Sequence, residues 1–69
     1  MVEVFKTNVE EPMQAQQLVA LLQQHFPGGR INFDLQDCDR VLRVEKQHIT
    51  PEKIIELMHR QGYFCQVLD

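Results

Sequence analysis

Few side chains in this sequence are equipped for chemistry. The candidates are two cysteines, Cys38 and Cys65, three histidines, His25, His48 and His59, and a scatter of acids. Serine is absent, which removes serine nucleophiles, and there is neither a Gly-rich phosphate loop nor a Gly-x-Ser-x-Gly elbow. No enzymatic activity is expected. Cys38 draws attention because it sits between Asp37 and Asp39. A negative charge on each side works against nucleophilic or soft-metal use of its sulfur, and turn geometry is the plainer account of Asp-Cys-Asp. Cys65 lies in an apolar C-terminal stretch and reads as a small core residue.

The histidines match no His-x₃₋₅-His or Cys-x-x-Cys spacing, so they give only a weak metal signal. His25 and His59 suit the negative ends of helices, which leaves His25 with His48 as a bare pair. Glu10, Glu11, Asp37 and Asp39 have two readings. One is helix-dipole matching and turn chemistry. The other is an acidic surface for a basic partner, or a weak hard-cation site.

Elements to position these groups follow from the pattern. Val2 to Thr7, rich in β-branched and aromatic residues, predicts a strand, and Asn8 to Pro12 turns into a helix with proline at its first position. Ala15, Leu18, Leu22 and Phe26, with Val19 alongside, form one apolar stripe that Pro27-Gly28-Gly29 ends. Arg30 to Leu35 alternates polar and apolar, turns at Gln36 to Asp39, and returns as a strand over Arg40 to Glu45. Thr50 as cap, Pro51 at the first position and Ile49 as a staple start a second helix with Ile54, Ile55, Leu57 and Met58 on its apolar side; Gly62 stops it. Tyr63 to Leu68 predicts a last strand.

The order β-α-β-β-α-β predicts an α+β, ferredoxin-like sandwich: a four-stranded antiparallel sheet with two helices on one face. Chain direction then gathers the Asn8 to Pro12 turn, the Asp37 to Asp39 tip and the Gly62-Tyr63 corner at one end. His25 and His48 fall at the other. The hairpin and the last strand lie toward opposite edges, so a Cys38–Cys65 disulfide, which needs Cα atoms within about 7 Å, is not expected.

Composition bounds the rest. Sixty-nine residues form one domain, 1–69, with a modest core, since a chain this size buries only about 60% of its unfolded surface. A net charge of −3 without any basic run argues against nucleic acid and anionic membranes as partners. No run approaches a transmembrane span, and Glu3 and Lys6 interrupt any N-terminal signal. Two cysteines are too few for a secreted disulfide framework, so a cytoplasmic location is expected.

Ile49-Thr50-Pro51-Glu52-Lys53-Ile54-Ile55 through Gln61-Gly62-Tyr63, with Ile31-Asn32-Phe33-Asp34-Leu35 and the apolar spacing of the first helix, resembles the heavy-metal-associated (HMA) domain of copper chaperones and metal-transporting ATPases. The likeness spans nearly the whole chain. It implies a Cys-x-x-Cys between the first strand and first helix, and this chain has none there. Counting back from Leu35, the two positions become Glu11 and Gln14; a register one residue earlier gives Glu10 and Met13. Val9 takes the buried position that the family gives to methionine. Carboxylate and amide oxygens suit hard ions, so these residues are not expected to hold Cu(I), and no cofactor is expected.

Three functions remain in view. The first is a non-catalytic module that contacts an unknown protein partner, through Glu10, Glu11, Asp37, Cys38, Asp39 and Tyr63 at the loop end or through an edge strand, as a monomer or weak homodimer. The second is a divergent metal binder using Cys38 with Met13 or an acidic neighbour. The third is a dimeric regulatory domain that binds a small ligand between subunits.

Overall fold

A computed structural model describes residues 1–68, so the last residue of the expected domain, Asp69, lies outside the described residues. The elements are β1 (Val2–Thr7), α1 (Pro12–His25), β2 (Arg30–Asp34), β3 (Val41–Glu45), α2 (Pro51–Arg60) and β4 (Cys65–Val67). They form an α+β domain with one four-stranded antiparallel sheet in the order β2-β3-β1-β4. Both β1 and β2 run antiparallel to β3, so they point the same way with β3 between them. Among the described residues, no helix is long and apolar enough to cross a membrane.

Strand alternation decides which face is covered. Phe5 stands opposite Leu42 on one side and Val67 on the other, and Ile31 stands opposite Val44. These inward residues meet Ala15, Leu18 and Leu22 of α1 and Ile54 and Met58 of α2 in a single buried cluster, so both helices cover the same face. The outward set, including Arg30, Asn32, Asp34, Arg43 and Glu45, stays exposed. A sheet with one packed and one wet face is the usual antiparallel solution.

Helix ends show where local chemistry competes. Both helices carry proline at the start, but Thr50 and Glu11, at the two N-cap positions, make no side-chain capping bond. Thr50 instead accepts the Lys53 N–H with its carbonyl. The end of α2 is a Schellman motif: Tyr63 N–H donates to Met58 O and Gly62 N–H to His59 O, with Gly62 at φ +91°. That motif shortens β4 relative to the expected Tyr63 to Leu68, because the Tyr63 N–H is spent on the helix and the Phe64 N–H donates to Asn8 Oδ1. Arg40 likewise falls out of the expected third strand: it sits at φ +45°, its N–H on Asp37 O and its guanidinium on Leu35 O.

Candidate functional site

Three connections meet at one end of the sheet, and hydrogen bonds stitch them together. Thr7, the one buried polar residue among those described, ends β1. Its N–H donates to Asp39 O and its hydroxyl to Arg40 O, while the same oxygen accepts the Val9 N–H at 3.2 Å. A buried hydroxyl that makes both bonds carries no desolvation debt. Asn8 ties the β1–α1 loop to the chain beyond α2 through the Phe64 N–H, at 2.9 Å. Val9 is fully buried beneath this loop.

The acids divide into two groups. At the hairpin tip, Asp37, Cys38 and Asp39 bring one donor atom each to within 4.8 Å of one another, the only such trio of His, Cys, Asp or Glu among the described residues. Glu10 and Glu11 are not part of it. Asp37 Oδ1 accepts the Asp39 N–H at 2.9 Å, and Asp39 Oδ1 lies 3.7 Å from Lys6 Nζ. Turn chemistry and an ion pair therefore occupy part of the trio's oxygen. Glu10 and Glu11 are exposed on the β1–α1 loop; Gln14 is half-buried in the first turn of α1 and Met13 is 71% exposed. Tyr63 is half-buried and its neighbour Phe64 exposed at the same end.

The cysteines are free and unlike each other. Cys38 is exposed and Cys65 buried. Burial desolvates the Cys65 thiol and pushes its pKa up to about 12. Ellman's reagent is expected to titrate one thiol per native chain, Cys38, with Cys65 reacting only after unfolding. Two fast thiols would place Cys65 at the surface.

The three histidines do not form one cluster. His25 closes the last turn of α1 and His59 that of α2, where a cation favours the dipole. His25 lines a cleft between the helices with Phe26, Lys53, Glu56, Leu57 and Arg60, and Lys46 lies 5.8 Å above the Phe26 ring. His48 does not line that cleft.

One feature is missing from the sequence reading: a groove of about 340 Å³ lined by Pro12, Ala15, Gln16, Val19, Phe33 and Leu35, between α1 and β2. Its signal was Val19 beside the main stripe, four residues beyond Ala15, on a helix whose span from Pro12 to His25 holds no Asp, Glu, Lys or Arg. Among known proteins, no family model, no curated protein and no solved structure matches this chain.

Proposed function

We propose that this chain is a non-catalytic, cytoplasmic protein-interaction module on a ferredoxin-like sandwich resembling the HMA domain, with an acidic docking end in place of a thiolate site. The sandwich reading is supported by β3 lying between the co-directional β1 and β2, and by a single cluster beneath both helices. The resemblance is supported by Val9, fully buried where such a domain needs an apolar plug.

The observation that carries the functional reading is the state of Glu10 and Glu11. Both are exposed at the start of α1, and Glu11 is not consumed as a cap. Their carboxylates are available to a basic protein surface, at the same end as Asp37 and Asp39, whose oxygens partly serve the hairpin turn and the Lys6 ion pair. Oxygen donors at these positions do not favour a soft cation.

Titration with Cu(I) against a competing chelator is expected to leave copper with the chelator. With wild type as bait, the Glu10→Lys/Glu11→Lys variant is expected to lose at least tenfold of any specific capture. Stoichiometric Cu(I) uptake that disappears in Cys38→Ser would instead establish the second reading, a divergent metal binder, which the close donor atoms of Asp37, Cys38 and Asp39 favour.

A further inference from the structure

The loop end is not the only surface prepared for contact. β2 forms one edge of the sheet, five residues long, with no strand beyond it among the described residues; the opposite edge, β4, has three. No proline interrupts β2. An edge of this kind is a template for another strand.

The ladder phase shows which backbone groups face outward. Lys46 N–H donates to Met1 O at 3.0 Å, so Lys46, and by alternation Val44 and Leu42, turn their backbone groups toward β1. Val41, Arg43 and Glu45 are left to serve β2, where they stand opposite Asp34, Asn32 and Arg30. On the far side of β1 the Leu68 N–H donates to Val4 O, which is the same phase. Ile31 and Phe33 therefore direct their N–H and C=O groups to the free edge.

The sequence of this edge, Arg30-Ile31-Asn32-Phe33-Asp34, is complementary to itself when reversed. We propose that β2 pairs antiparallel with β2 of a second copy of this chain, about a twofold axis through Asn32. In that register Arg30 faces Asp34 of the second copy, Ile31 faces Phe33, and Asn32 faces its own equivalent. The outward groups of Ile31 and Phe33 exchange four backbone hydrogen bonds, and both ion pairs form on the open face. Sliding two residues either way sets Arg30 or Asp34 against Asn32 and loses both ion pairs. Sliding one residue puts the helices of the two copies on opposite faces.

The covered side agrees. The twofold axis brings the two α1 helices alongside each other over a continuous sheet, and the groove lined by Val19, Phe33 and Leu35 closes against its equivalent. The absence of any Asp, Glu, Lys or Arg between Pro12 and His25 suits such an approach, because interface centres are depleted in charge. The groove, with Gln16 as its one polar side chain, offers nothing to recognise a charged peptide, whereas a second copy finds its own charges answered on β2.

The charges supply the test. Asp34 Oδ1 also accepts the Gln36 N–H of the hairpin turn at 3.2 Å, so Arg30→Asp is the variant that leaves the loop end untouched and stands apart from the docking reading. Sedimentation equilibrium of the wild type is expected to show mass rising from 8.2 kDa toward twice that value with concentration up to about 1 mM, a weak association as suits an interface of modest area. Arg30→Asp and Asp34→Arg, each alone, put like charges opposite each other and are expected to weaken self-association at least tenfold. Mixing the two variants answers every charge, and the mixture is expected to associate as well as wild type. In a Cys38→Ser background, Asn32→Cys is expected to form a disulfide-linked dimer on mild oxidation, because facing residues of a non-hydrogen-bonded pair stand about 4.5 Å apart at Cα, within disulfide range. A wild type that stays monomeric at 1 mM overturns the proposal, and an edge that serves a foreign peptide gives that result. A dimer indifferent to the two charge variants, or one that mixing fails to restore, overturns it as well.

Discussion

Replacing Phe5 with alanine is expected to abolish cooperative folding or nearly so. Phe5 is fully buried on a central strand, between Leu42 and Val67, beneath both helices. Truncating such a ring costs about 3–5 kcal/mol, from lost transfer energy and the cavity left behind. At roughly 0.05–0.15 kcal/mol per residue, a domain this short has a total stability of about 3–10 kcal/mol, so one ring is a large fraction of it. Urea unfolding followed by far-UV circular dichroism measures the loss. Val4→Ala is the control: Val4 precedes Phe5 on the other face of β1 and is only half-buried, so this variant is expected to lose much less. Equal losses at the two positions would mean that β1 does not present Phe5 to the core.

The second large effect is alkaline. Cys65 keeps its proton in the folded chain up to about pH 12 rather than the ordinary 9.0, because its thiolate would be desolvated beside Thr7 of β1. Below pH 9 both folded and unfolded thiols are protonated, and the stability is intact. As pH rises past 9 the unfolded chain releases its proton and the folded chain does not, so unfolding is favoured increasingly until the folded thiol also ionises near 12. A shift of this size corresponds to about 4 kcal/mol in total, and about 2 kcal/mol of it is spent by pH 10.5. Urea midpoints of wild type and Cys65→Val, compared at pH 8 and pH 10.5, isolate the thiol from the lysines and Tyr63. The wild type is expected to fall further by that amount. Parallel losses would show that the Cys65 thiolate is accommodated by water.

Legibility in the sequence varied with how local the determining force was. Alternation from Arg30 to Leu35 specified β2 and its buried Ile31, because one-face burial admits a single register. Pro12 and Pro51 marked both helix starts, since proline's fixed φ suits that position. Gly62 marked a stop that needs positive φ. Side-chain capping was less legible: Thr50 has the residue type and the position, yet its carbonyl does the work. Strand ends escaped because their donors are claimed from far away, as when Asn8 takes the Phe64 N–H.

At the loop end, chain direction alone brought Asn8 to Pro12, Asp37 to Asp39 and Tyr63 together. It gave no hint that the hairpin acids would close on one another while Glu10 and Glu11 stayed apart from them. The α1–β2 groove was missed because it needs residues 14 or more positions apart, Val19 and Phe33, to meet across a helix and a strand.

The stitching around Thr7 and Asn8 bears on the speed of recognition. Backbone segments more than thirty residues apart in sequence are clamped by the Thr7 hydroxyl to the Arg40 carbonyl, and by the Asn8 amide to the Phe64 N–H. On the docking reading proposed above, a visitor to that rim would meet loops pinned to one another by these two bonds, which reduces the ordering entropy to be surrendered on arrival. On that same reading, capture there would be governed by diffusional encounter and its ionic-strength dependence.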